Sequence, residues 1–323
     1  MDIRSKYMLW EEQNLSKFAF LSKNSAGRGI PEKECCIRTV FQRDRDKIIH
    51  SKAFRRLKHK TQVFILPAGD HYRTRLTHTL EVCQIARTIA RALCLNEDLT
   101  EAVSLGHDLG HTPFGHAGER ALNQISPNGF KHYVQSCLIA KYDLNLSLEV
   151  CDGILNHTGV RSASTLEGQI VKYADRIAYV NHDIDDALRA GVLKETYLPT
   201  DCIDVIGKTH SQRINNLIMA IVTESYDKNF IKMECGMYDA LLSLRKFMFD
   251  NVYLCSGSRQ QEERVLKLIS ALYDYYMENL HVIPNYSEEF QPHELVCNYI
   301  SGMTDNFAIH TYKDIILPSV GIY

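Results

Sequence analysis

An all-α fold is what this 323-residue sequence predicts, and three observations carry the prediction. Apolar residues recur at spacings of three and four in one stretch after another. Helix-capping residues and stop glycines fall at the ends of several of those stretches. Pieces with a β-like pattern are short, such as TQVFIL near residues 61–66.

Taken in order, Leu76, Leu80, Cys83, Ala86, Ile89 with Ala90, and Leu93 form one face of a first helix, LTHTLEVCQIARTIARALCL. Asn96 can cap a second, LTEAVSLGHD, which stops before Gly110. A loop then enters a further helix at GHAGERAL. Another begins near His132 and continues through YVQSCLIAKY, followed by the short LEVCDGILNH. A long helix is expected from about Thr165 through EGQIVKYADRIAYVNHDIDDALRA, with Gly191 as its C-terminal stop. The second half adds the amphipathic runs INNLIMAIVTESY, YDALLSLRKFMF, ERVLKLISALYDYYM and ELVCNYISGMTDNF. No repeat, low-complexity tract or obvious linker interrupts them. Residues 1–195 hold nearly all the candidate chemistry. Residues 196–323 are expected to be additional C-terminal helices packed on that part or continuous with it, without chemistry of their own.

Composition narrows the function classes. A net charge of −2 and a pI near 6.7 argue against an obligate nucleic-acid binder with a strongly basic surface. The start, MDIRSKYMLWEEQ, lacks an apolar core of signal-peptide length, and no 18-residue apolar run occurs, so no membrane span is expected. The 10 cysteines contain no CxxC pair, which suggests neither a zinc knuckle nor a disulfide framework. The expectation is a cytoplasmic protein with reduced thiols.

Chemistry concentrates in GHDLGHTPFGHAGE, residues 106–119, which holds three histidines, an aspartate and a glutamate. Metal ligands must converge from several helices, and four residues are placed to do so. His78 lies on the first helix, His107 and Asp108 end the second, and Asp175 lies within KYADRIAYV on the long helix. Any one of these reads equally well as a satisfied core residue, and Asp175 could pair with Arg176 or a tyrosine. As a set, two imidazoles and two carboxylates would leave open positions on an octahedral Mn²⁺, Fe²⁺, Co²⁺ or Mg²⁺, with the imidazoles favouring a transition metal. Along the long helix, Asp175, Tyr179, His182 with Asp183, and Asp186 fall on one stripe, expected to line the pocket.

The set His78, His107-Asp108, Asp175 resembles the signature of the HD-domain metal phosphohydrolases. The runs RDRDKIIHSKAFRRLKHKTQVF (43–64), GHDLGHTPFGHAGE and ADRIAYVNHDIDDALRAG (174–191) narrow the resemblance to the deoxynucleoside triphosphate triphosphohydrolase family, of which dGTPase is the named member. A weaker echo continues in DALLSLRKFMF and NYISGMTDNFA.

The resemblance implies an HD-domain helical fold and metal-dependent hydrolysis of a dNTP to deoxynucleoside and tripolyphosphate, with water attacking the α-phosphorus. It places His116, Glu119 and His132 at the catalytic centre. His116 and Glu119, three apart, can share a face, where the carboxylate would orient the imidazole and raise its pKa. His111 is open between a phosphate contact and a structural loop histidine. Arg75, three before His78, resembles a phosphate clamp, and Gln62 the residue that meets the sugar 3′-OH. Tyr179 would pack where a ribose 2′-OH would clash, and Asp183 would accept from the 3′-OH. Arg176 joins them as a substrate contact. Arg55 and Arg56 are candidates for the triphosphate, a subunit contact or a solvated face. The family further implies a homo-oligomer, and a regulatory dNTP or single-stranded DNA is a conceivable partner. The rival expectations are another HD phosphohydrolase, such as a nucleotide 5′-phosphatase or phosphodiesterase with further ligands at His132 and His157, and a non-catalytic nucleotide sensor.

Overall fold

The computed structural model of the chain describes residues 2–62, 73–253, 256–284 and 291–317. Among these residues there are fifteen α-helices and no strand. Thr61 makes only an isolated bridge to Thr74, and the rest of the β-like stretch, 63–66, lies outside the described residues.

Four helices build the part that matters for the site: α4 (Arg75–Ala92), α5 (Glu97–Gly106), α8 (Leu148–Asn156) and α9 (Leu166–Arg189). They pack on one another, α4 along α9, with α2 (Val40–His50) against α5. Of the expected α4 face, Cys83, Ala86, Ile89, Ala90 and Leu93 bury, but Leu80 is 51% exposed. Val82 and Ile85 take part instead, and the face meets Ile170, Val171, Ala174, Ile177 and Ala178 on α9 in one core. Asn96 caps α5 by accepting from the Leu99 amide at 3.2 Å, and Thr165 caps α9 by accepting from the Gly168 amide at 3.1 Å. Gly191, at φ +69°, takes the left-handed position that ends α9.

The core extends through α10 (Thr200–Ile206), α11 (His210–Ser225) and α12 (Cys235–Met248). A second apolar cluster forms where α6 (Gly115–Ile125) meets α13 (Ser256–Glu278), α14 (Pro292–Ser301) and α15 (Asp305–Ile316). No helix among the described residues is long and apolar enough to cross a membrane.

Three boundaries differ from expectation. α5 ends at Gly106, so His107 and Asp108 lie in the turn after the helix rather than at its end. The helix from His132 keeps α geometry only to Leu138 as α7, and a π-turn, Ile139–Asp143, follows it. The run ELVCNYISGMTDNF is split, because Gly302 ends α14 and Thr304 caps α15 by accepting from the Phe307 amide. Four helices were not among the expected runs: α1 (Ile3–Asn14), α2, α3 (Lys52–Arg56) and α10.

Candidate active site

Three helices deliver the proposed ligands to one buried point. His78 lies on the first turn of α4, His107 and Asp108 follow the last turn of α5, and Asp175 lies mid-way along α9. His78 Nε2 stands 3.1 Å from Asp175 Oδ1. His107 Nε2 stands 3.6 Å from Asp108 Oδ1 and 3.9 Å from Asp175 Oδ1. Donor atoms of His78, His107 and Asp108 all fall within 4.8 Å of one another.

The backbone selects the tautomer of His107. Its Nδ1 lies 2.6 Å from the Ser104 carbonyl, which can only accept, so Nδ1 carries the proton and Nε2 presents a lone pair. That Nε2 is buried and has no hydrogen-bond partner among the described residues. A buried lone pair between two carboxylates is costly as it stands, and a divalent cation would satisfy all three groups at once. The donor set therefore fits the expected ion.

Arg75 balances the charge from one side, its Nη1 donating to Asp108 Oδ2 at 2.6 Å, with both side chains buried. Burial alone would raise the Asp108 carboxyl, but Arg75 and the flanking histidines hold it well below the usual carboxylate range. Asp175 is likewise lowered against burial, by the His78 hydrogen bond first and then by the nearby His107 ring. Arg75 Nε and Nη2 remain unpartnered among the described residues, so the guanidinium anchors a ligand and keeps donors free for an anion.

A second group of side chains adjoins this centre. Glu119 Oε2 lies 3.2 Å from His116 Nδ1, while Oε1 accepts from the His132 amide at 3.0 Å and from His132 Nδ1 at 2.9 Å. One carboxylate thus orients two imidazoles, where the spacing alone suggested a pair. His111 is buried, with its ring stacked on His132 at 4.6 Å and neither ring nitrogen bonded among the described residues. His157, expected only in the rival phosphodiesterase reading, sets its ring edge against His107 at 5.0 Å and lies 5.5 Å from His132. Burial and the neighbouring histidines push its pKa down to about 3. An unbroken series of imidazoles runs from the candidate metal ligands to the solvent-facing His116.

Glu119 raises the pKa of His116, as expected, but the net shift is downward. The His116 side chain is 61% exposed, yet protein crowds the cleft. Desolvation holds the pKa below its ordinary value against the raising contact with Glu119, and the Arg75 and His132 charges add to the lowering.

The substrate-facing residues divide. Tyr179, half-buried one turn beyond Asp175, has the Arg245 guanidinium 5.9 Å from its ring centre, and Asp183 is buried a further turn on. Arg176 donates to Tyr238 Oη at 2.9 Å, which ties it to α12. Gln62 is buried, and its Oε1 has no partner among the described residues. The far end of the α9 stripe does not open on a pocket. His182 pairs with Glu81 at 2.9 Å and Asp186 with Arg73 at 2.7 Å, because α4 and the residues before it cover that face. Arg55 is exposed and caps α2 through the His50 carbonyl at 2.9 Å, and Arg56 is exposed near Gly302.

The turn that carries His116 is built on an unusual backbone. Phe114 adopts φ +61°, a left-handed conformation that costs a side-chain-bearing residue roughly 1–2 kcal/mol, and Gly115 follows at φ +58°. A Cβ at Gly115 would stand 3.1 Å from the Thr61 carbonyl. The C-terminal helices, expected to hold no chemistry, brace this turn. Asp305 Oδ1 accepts from the Phe114 amide at 2.8 Å. Its Oδ2 accepts from the Thr61 amide at 2.9 Å and from Thr61 Oγ1. Lys60 Nζ donates to the His111 carbonyl at 2.5 Å and the Ser301 carbonyl at 2.7 Å. GMTD was visible only as a faint resemblance, and nothing local in it indicates a partner some 190 residues away.

Comparison with known proteins shows the family. The HD domain family model matches residues 75–180, and the phosphohydrolase-associated domain model matches residues 231–314. A deoxyguanosinetriphosphate triphosphohydrolase-like protein of Caldanaerobacter subterraneus subsp. tengcongensis is 51% identical, covering 96% of this chain and 94% of that one. A protein of the same description from Desulfatibacillum aliphaticivorans is 46% identical over 99% of both. The crystal structure of a phosphohydrolase from Bacteroides thetaiotaomicron VPI-5482 shares the fold at a TM-score of 0.54 and 18% identity, over 85% of this chain and 69% of that one. With the ligand set on the HD-matched segment and the Asp305 contact on the associated one, the chain belongs to the HD-domain deoxynucleoside triphosphate triphosphohydrolase family, among its deoxyguanosinetriphosphate triphosphohydrolase-like members.

Proposed function

We propose that this HD-domain phosphohydrolase hydrolyses deoxynucleoside triphosphates to deoxynucleoside and tripolyphosphate. The observation that carries the reading is the buried, unpartnered His107 Nε2 set between Asp108 and Asp175, directly beside the Glu119-oriented histidines. His78, His107, Asp108 and Asp175 would hold a divalent ion, Mn²⁺, Fe²⁺, Co²⁺ or Mg²⁺. When bound, that ion supplies Lewis-acid polarisation of a phosphate oxygen and a lowered pKa for water.

The chain's own residues do the rest. Arg75 keeps Asp108 ionised and offers its free Nη2 and Nε to the phosphates. Glu119 fixes His116 and His132 so that an imidazole nitrogen faces the reacting phosphate, and His116, with its pKa held below the ordinary value, stays neutral at neutral pH and is suited to accept a proton. His111, stacked on His132, offers a phosphate contact. Tyr179 closes the space beside the sugar's C2′, and Gln62 and Asp183 are the candidates for the 3′-OH. Arg176 would meet the substrate from the Tyr238 side.

Incubating the protein with each dNTP and Mn²⁺ and separating the products tests this. Tripolyphosphate is the expected product, and orthophosphate or a monophosphate would replace the reading with a 5′-phosphatase or phosphodiesterase. One observation favours a dinuclear phosphodiesterase as second reading: Asp108, His111 and His132 also have donor atoms within 4.8 Å of one another. Two ions per chain would support it and one would oppose it. A homo-oligomer, a cytoplasmic location and regulation by a second dNTP or by single-stranded DNA belong to the same proposal, supported by the family alone.

A further inference from the structure

A single carboxylate from the last forty residues of the described chain touches both segments that frame the histidine cluster. Asp305 is the first residue of α15 and is 4% exposed. Its carboxylate leaves its own helix and takes the Phe114 amide on one oxygen and the Thr61 amide and hydroxyl on the other. Lys60 joins the same two segments by donating to His111 and Ser301 carbonyls. The left-handed pair Phe114-Gly115 reverses the chain so that the His111 and His116 rings meet at 5.1 Å. Such a backbone persists only where its surroundings over-determine it. The contact Asp305 makes is the one that fixes the amide at the bend.

We propose that Asp305 is a positioning residue for hydrolysis, acting through Phe114 and Thr61 to hold His116, His111 and Gln62 around the metal centre. The inference rests on the reading of this site as the seat of dNTP hydrolysis. It assigns the C-terminal GMTD segment a role in the chemistry that its distance along the chain conceals. The chemistry of the substitution makes the role testable. The two carboxylate oxygens serve three donors, whereas an asparagine has one oxygen and turns an NH₂ group toward either the Phe114 amide or the Thr61 pair.

The experiment compares full-length D305N, Thr61→Val and Thr61→Ser with the unaltered protein. Amide hydrogen exchange, metal per chain, and kcat and KM for tripolyphosphate release with Mn²⁺ are measured. In D305N, exchange should rise across residues 113–118 while α4 and α9 keep their protection. Its kcat should fall about 10- to 100-fold, as expected for a catalytic group displaced by an ångström. KM should stay within about threefold and metal content should be unchanged. Thr61→Val should move in the same direction by less, and Thr61→Ser should restore the unaltered values. Unchanged exchange at 113–118, or an equal rise across α4 and α9, or loss of metal, overturns the proposal. If the unaltered protein releases no tripolyphosphate, the functional reading fails, and the exchange pattern still decides whether Asp305 holds the turn.

Discussion

Glu167 offers a stability test whose size follows from its surroundings. It is the second residue of α9, fully buried, and its Oε1 accepts from the Phe20 amide at 2.9 Å and the Asn96 amide at 3.0 Å. Through Asn96 it joins the start of α5 to the start of α9, the two helices that lead to His107, Asp108 and Asp175. Burial, with Glu11 nearby, pushes its carboxyl up from 4.5 to about 7. The folded state therefore binds an extra proton between these values. Stability falls as pH rises through that window, and the loss is complete above about 7. At about 1.4 kcal/mol per unit the penalty is roughly 3 kcal/mol. Glu167→Gln removes the ionisation and keeps a neutral oxygen to accept from the two amides, much as the protonated carboxyl does. The net gain should be about 3 kcal/mol at pH 8 and close to nil near pH 4.5. Urea unfolding followed by circular dichroism at both pH values, with chelator present to exclude metal linkage, measures it. A variant that is destabilised at pH 8, or shifted equally at both pH values, would refute the argument.

Other expectations concern the site. Asp108→Ala should lose bound metal, measured by elemental analysis, and should lower turnover by at least about 1000-fold, since Arg75 is left buried and unpaired at the same time. Glu119→Gln should retain metal and lower kcat about 100-fold or more, because His116 and His132 lose their shared acceptor. Tyr179→Ala should raise the rNTP-to-dNTP ratio of kcat/KM about tenfold, read by competing the two substrates. Gly118→Ala would place a Cβ 2.0 Å from the Pro113 carbonyl. It should cost about 3 kcal/mol or more in urea unfolding and abolish turnover.

The local signals read well where the helix period is strong. The Asn96 cap of α5 and Thr165 and Gly191 at the ends of α9 appear where the residue pattern puts them, and the expected face of α4 buries from Cys83 onward, with Leu80 left exposed. Each depends on interactions within a turn or two of the chain. The split of α14 from α15 was harder to read, because Gly302 and Thr304 sit inside an otherwise periodic run. Among the candidate ligands, His78, His107, Asp108 and Asp175 were legible as a set, and the structure brings the four together.

What the sequence by itself determined is the all-helical class, the family, and the identity of the residues able to bind a cation or move a proton. Those properties reside in residue type and short-range spacing. Only the tertiary structure decided how they are shared out. It made Glu119 the partner of two imidazoles, turned His182 and Asp186 away to α4, and brought His157 against His107. It also carried Asp305 across the fold to the turn at Phe114. A side chain's hydrogen-bond partner is fixed by where packing places a distant segment, and the period of a single helix holds no record of that distance.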